Sequence, residues 1–181
     1  MDKTSKNMKK TILILSAFAA SVMFTACGGG GEKQGEEESK QETTAPKGMV
    51  EISLEAYGFP ITVPVPDTTM NPLDITEQDW GAVEIRAGKY FQMQVAEGGD
   101  LDLKKSDLKE DLLYKAEILE EGPGYVVYKQ YIEGSNVEPF YHFYMVKNIN
   151  GTDYEIQDIN TGEAFPEKAV RKMFEAAKAA K

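Results

Sequence analysis

The chain has 181 residues, 30 of them acidic and 20 basic, for a formal net charge of −10. Such a charge is repelled by nucleic-acid phosphates and by anionic lipid, so nucleic acid is excluded as a partner. One cysteine and one histidine exclude an internal disulfide and leave a zinc site only His142 and carboxylates to draw on.

The chain opens with Lys3, Lys6, Lys9 and Lys10, and then carries no charge from Thr11 to Phe24. As a helix these 14 residues would measure about 21 Å against a hydrocarbon core of roughly 30 Å. That is short for a membrane span and has the length of a signal-peptide apolar region. Met8-Lys9-Lys10 forms a second complete opening of the same kind. Two small residues, Thr25 and Ala26, then precede Cys27, and four glycines follow it.

Phe24-Thr25-Ala26-Cys27 resembles the lipobox of bacterial lipoprotein precursors, with Phe24 where members of that group usually carry leucine. The resemblance covers residues 1 to 27. It implies a signal peptide over residues 1–26, diacylglyceryl transfer to the Cys27 sulfur, cleavage before Cys27 and acylation of the new amino terminus. One acyl chain binds a membrane marginally and two or more hold it stably, so the membrane is the first expected partner, through the lipid on Cys27. Loss of residues 1–26 removes Lys3, Lys6, Lys9, Lys10 and Asp2, leaving 16 basic and 29 acidic residues and a net charge of −13.

Residues 28–47, GGGGEKQGEEESKQETTAPK, have almost no apolar side chain to offset the entropy of ordering. They read as a flexible Gly/Glu-rich tether following the lipidated Cys27, with a coil reach of roughly 25 Å. The chain as a whole resembles small lipoproteins of the Bacteroidota, which implies the cell envelope and its outer membrane. In that group acidic residues soon after the cysteine direct display on the cell surface. Here Glu36, Glu37 and Glu38 begin nine residues after Cys27, later than usual, so the periplasmic and the outer side both stay open.

Residues 48–181 are enough for one domain with its own core. Met49–Ala56 alternates as a strand, with Val50, Ile52 and Leu54 on one face. FPITVPVP, Phe59–Pro66, holds three prolines and is an edge strand or extended segment at best. Asp67–Asp79 is rich in turn residues, with Asn71-Pro72 as a breaker. Trp80–Glu97 reads as a hairpin turning at Ala87-Gly88-Lys89. Asp100–Tyr114 changes period, and Leu101, Leu108 and Leu112 suit a helix. Strand character resumes over Tyr114–Glu121, turns at Gly122-Pro123-Gly124, and continues over Tyr125–Ile132. Val137–Lys147 pairs back, and Asn150-Gly151 is a strong hairpin signal leading into Thr152–Ile159. Pro166 opens a final helix, with Val170, Met173, Phe174 and Ala177 on one face. The order predicts an α+β fold: an antiparallel β-sheet with a helix between strands and a C-terminal helix packed on one face.

Chemistry is sparse. No nucleophile elbow, phosphate loop, dinucleotide fingerprint or helix–loop–helix calcium loop is present. Asp67, Asp74, Glu77 and Asp79 form a loose acidic stretch matching no metal template. Neither a metal, a cofactor nor a catalytic residue is expected. Asp67-Thr68-Thr69 resembles the O-glycosylation site of Bacteroidota proteins, which implies Thr68 as acceptor.

The aromatics carry more information, because seven fall within Tyr125–Tyr144. Strand alternation divides them between two faces. One face is expected to be core and the other at least partly open. Tyr125, Tyr128, Tyr131, Tyr141, His142 and Tyr144 are the candidate binding surface, with cross-strand aromatic pairing as the purely structural alternative. The expected function is a non-catalytic, lipid-anchored envelope module that binds a protein or a glycan. The alternatives are an envelope structural or assembly component and, behind both, a carboxylate-based hydrolase.

Overall fold

The computed structural model describes residues 45–69, 72–162 and 164–181. Cys27, the apolar run before it and the tether up to residue 44 lie outside the described residues, as do Met70, Asn71 and Glu163.

β1 (Met49–Ser53) and β2 (Thr62–Pro66) form a two-stranded antiparallel ribbon, Met49 facing Pro66 and Ser53 facing Thr62. Among the described residues β2 pairs with no other strand, in keeping with its prolines. The stretch Met49–Ala56 is shorter as a strand than its alternation predicts, because a 3₁₀ turn at Glu55–Tyr57 ends it. Val50 is 41 % exposed and Leu54, beyond the strand, is fully buried.

The other seven strands make one antiparallel sheet. In chain order they are β3 (Leu73–Glu77), β4 (Ala82–Ala87), β5 (Gln92–Glu97), β6 (Lys115–Gly122), β7 (Tyr125–Tyr131), β8 (Phe140–Ile149) and β9 (Thr152–Asp158). In space they run β3-β4-β5-β9-β8-β7-β6. β3 corrects the turn-rich reading of Asp67–Asp79: after Pro72, Leu73 and Ile75 pack against the core while pairing with Ala87 and Ile85. The short alternation L-D-I-T-E prevails over the neighbouring breaker residues. The predicted β4–β5 hairpin forms, with Arg86 facing Gln92 and Gly88 at φ +72° in the turn. Asn150 and Gly151 sit at φ +55° and +89° between the paired residues Ile149 and Thr152, the two positive-φ positions of a type I′ turn.

Helix α1 (Leu101–Glu110) starts at Asp100, whose carboxylate accepts from the amides of Asp102 and Leu103, each at 2.9 Å. It stops four residues earlier than the apolar spacing predicts. The Asp111 carboxylate accepts from the Leu113 and Tyr114 amides, both at 2.8 Å, and turns the chain away. Leu112 therefore leaves the helix and is 98 % exposed, while Leu108 is the buried residue of α1.

Helix α2 (Glu167–Ala179) buries Val170, Met173, Phe174 and Ala177 together with Ala169 and Ala176. Full burial of a Met or Phe side chain contributes about 1.5–3 kcal/mol, so this one face outweighs the helix's own propensity. Pro166 stands at the N-cap, one position before the first helical residue, and its carbonyl accepts from Ala169 at 2.8 Å. At the other end Lys147 Nζ reaches from β8 to the carbonyl oxygens of Lys178 and of Ala180, the latter at 2.6 Å. Lys181 then exchanges backbone hydrogen bonds with Thr62, tying the end of the helix to β2.

The sheet has a core on each face. α2 and the β1–β2 ribbon cover Val83, Ile85, Met93, Val95, Val127, Phe143, Met145 and Ile156. α1 covers Val126, Tyr128 and Tyr144 through Leu108. A bulge in β6 serves both helices. Leu119 is left over between the Ile118–Tyr128 and Glu120–Val127 pairs. Beyond it Glu120 meets Arg171 of α2, and Glu121 meets Lys105 of α1 at 2.8 Å.

Candidate functional site

The aromatic pair β7–β8 divides as alternation requires. Tyr125 lies on the α2 side with its ring 4.9 Å from Phe174, and Tyr141 packs half-buried against the same core. Tyr131, half-buried, stands at the end of β7 beside Lys129 and Ile132. Tyr128, His142 and Tyr144 lie on the α1 side and are 3, 7 and 4 % exposed. The six candidates therefore do not make one open surface. Sequence alternation leaves undecided which face of the hairpin is core and which is partly open; here the α1 side carries its own cluster, with Leu108 packed on Val126, Tyr128 and Tyr144.

Both buried phenols are integrated into the fold. Tyr144 Oη donates to Glu155 Oε2 at 2.8 Å and accepts from the Asp100 amide at 3.0 Å, fastening the start of α1 to the sheet. Burial, then the bond to Glu155, hold its pKa above the ordinary value. Burial raises Tyr128 likewise, with the nearby Asp158 charge and Tyr144 adding to it. Lys104 lies over both rings, 5.6 Å from Tyr128 and 5.4 Å from Tyr144.

His142 is not an isolated strand histidine. Its Nδ1 is 2.7 Å from Oδ2 of Asp158, whose Oδ1 accepts from the Phe143 amide at 2.8 Å. Asp158 is itself buried, at 4 % exposure. Each carboxylate oxygen thus has a donor, which is what allows a carboxyl group to stay inside the fold. The carboxylate occupies Nδ1 and fixes the imidazole plane, leaving Nε2 as the nitrogen open to a further partner. Asp158 is not among the residues singled out from the sequence; its spacing from Tyr154 and Ile156 on β9 marks it as inward-facing, but nothing in the strand pattern pairs it with His142.

Beside this pair, past the end of α1, lies a cleft of about 230 Å³. Phe140, Gln130 and His142 of the sheet form one wall, and Asp111, Tyr114, Asn160 and Gly162 close it from the loops. Tyr114 and Phe140 meet edge to face, centroids 6.0 Å apart. The Asp111 carboxyl is held below its usual pKa by the Tyr114 amide first and the Leu113 amide second, so it is an anion at neutral pH. A second hollow of about 380 Å³ shares Asp111 and Tyr114 and continues toward Lys105, Lys109, Lys115 and Ile118. The two hollows are neighbours on the α1 side, with Asp111 and Tyr114 lining both.

The acidic stretch does not converge. Asp74 and Glu77 are three residues apart on β3 and point to opposite faces, and Asp67 caps its own turn by accepting from the Thr69 amide at 3.0 Å. Among the described residues no group of three His, Cys, Asp or Glu side chains is placed to hold a metal ion. Thr68 lies half-buried in the turn after β2. No helix among the described residues is long and apolar enough to cross a membrane.

No protein-family model matches the chain, and no curated protein or solved structure matches it.

Proposed function

We propose that the protein is a lipid-anchored component of the cell envelope whose folded part is a non-catalytic binding module, with the cleft beside His142 as the seat for an envelope glycan. The observation that carries this reading is the lining of the cleft. Two aromatic rings at its wall and edge offer stacking surface, and Gln130, Asn160, Asp111 and His142 offer planar donors and acceptors. A sugar ring presents the matching pattern, an apolar C–H face with hydroxyls at its rim. The neighbouring hollow that Tyr114 also lines offers room for a second ring of a short chain.

The same lining speaks for binding rather than turnover. No serine, threonine or cysteine is among the described residues around the cleft. The Asp111 carboxyl, held ionised by two backbone amides, is a poor proton donor, and Asp158 is spent on His142 and Phe143. A hydrolase built on carboxylates would need one acid of raised pKa.

The assembly reading keeps one observation of its own. Leu103, Leu112, Leu113 and Ile118 are exposed around α1 and β6, apolar surface of the kind a protein partner covers. Capture of the full chain from native membranes separates the two. Release of captured material by soluble envelope oligosaccharide supports the glycan reading. A fixed-stoichiometry protein complex that ignores oligosaccharide contradicts it and favours assembly.

A further inference from the structure

On the α2 side of the sheet, away from the His142 cleft, a cavity of about 310 Å³ lies between the β4–β5 turn and the first turns of α2. Its floor is apolar, made by Pro66, Ala87, Phe91 and Ala169. Tyr90, 53 % exposed, stands at its side, with the Lys89 ammonium 5.5 Å from the ring centroid. The rim carries Lys89, Lys168 and Lys172, and among the described residues no carboxylate lines it. In a chain with ten more acids than bases, the two lysines that α2 brings to this rim run against the sign of the whole.

The neighbouring acids on α2 are engaged elsewhere. Glu167 is held by Arg171 at 3.1 Å, Arg171 also takes Glu120, and Glu175 is held by Lys178 at 2.6 Å. Lys168 and Lys172 have no ion pair among the described residues, and at i and i+4 they share a face of the helix, where like charges repel. An anion between them relieves that repulsion, and the partial positive charge of the nearby helix start adds in the same sense. An apolar floor with a few convergent charged groups at its mouth is the usual composition of a small-molecule site.

We propose that this cavity binds a carboxylate carried on a six-membered ring. The ring lies against Tyr90 and the Phe91 floor, and the carboxylate meets Lys168 and Lys172. Sugar acids and aromatic acids share this chemistry, and both are distinguished by the test.

The test is a titration of the ¹⁵N-labelled full chain with glucuronate and, separately, with benzoate, followed by amide shifts. The proposal expects saturable shifts at Tyr90, Phe91, Lys168 and Lys172 with a Kd near about 1 mM for at least one probe. Saturation by glucuronate alone identifies a sugar acid, and by benzoate alone an aromatic acid. The double variant Lys168→Glu, Lys172→Glu should keep the remaining amide spectrum and weaken binding at least about tenfold. Neutral glucose and benzamide should leave these amides unmoved. Absence of saturable shifts with either acid overturns the proposal. So does equal binding by the charge-reversed variant or by the neutral analogues.

Discussion

His142 Nδ1 and Asp158 Oδ2 meet at 2.7 Å inside the sheet, and the other Asp158 oxygen holds the Phe143 amide. One buried carboxylate therefore joins the end of β9 to β8 and sets the ring that forms a wall of the cleft. Asp158→Ala leaves a buried imidazole nitrogen and a buried amide without acceptors. It should cost about 3 kcal/mol of unfolding free energy, with Asp158→Asn losing clearly less because one acceptor oxygen survives. Denaturant melts measure both. An alanine variant within about 0.5 kcal/mol of wild type would show that the pair adds nothing to the fold.

The phenols of Tyr128 and Tyr144 make the fold sensitive to alkali. Both are pushed above the ordinary value of 10.0, chiefly by burial. A group whose folded pKa is raised contributes stability that is complete below its unfolded pKa and is lost as pH rises toward the folded one. Stability should therefore fall steadily above about pH 10. Tyr144→Phe, which removes the bonds to Glu155 and Asp100, should cost about 1 kcal/mol at pH 7 and flatten the alkaline fall. Melting temperatures taken across the alkaline range test this, and an equally steep fall in the variant argues against it.

Gly124 sits at φ +85° in the β6–β7 turn, and a Cβ there would come within 2.6 Å of the Val146 carbonyl oxygen. Its own carbonyl accepts from the Val146 amide at 2.7 Å, so the strand has no room to retreat. Gly124→Ala should destabilise by about 2 kcal/mol or more, whereas Gly134→Ala, at φ +76° in open space, should cost about half of that. Thermal melts of the two variants give the comparison.

Cys27→Ser tests the anchor. The variant should take up no labelled fatty acid and accumulate as uncleaved or misplaced precursor. Membrane retention equal to wild type after salt and carbonate washes would contradict a lipidated Cys27.

The legible parts of the sequence are those where one residue decides one geometry. Asn150-Gly151, Pro123-Gly124 and the face Val170, Met173, Phe174, Ala177 decide two turns and a helix orientation from local residues alone. β3 was not legible, since its two core residues, Leu73 and Ile75, gain their burial from β4 and not from their own neighbours. Leu112 fell on the helical period, but the Asp111 carboxylate ended the helix first. The site was half legible. Alternation divides the aromatics between two faces, while the grouping of His142 with Tyr128 and Tyr144, the packing of Leu108 on that face and the pairing with Asp158 depend on contacts distant in sequence.

If the cleft beside His142 holds an envelope glycan, titration calorimetry of the full chain with soluble envelope oligosaccharides registers the binding. Gln130→Ala and Asn160→Ala remove polar groups at the mouth without touching either core. Saturable binding to the wild-type chain is expected. Each variant should lose about tenfold in affinity, or about 1.4 kcal/mol, with melting temperatures nearly unchanged. No saturable heat with any oligosaccharide fraction, or affinities unaltered in both variants, would contradict a glycan in this cleft.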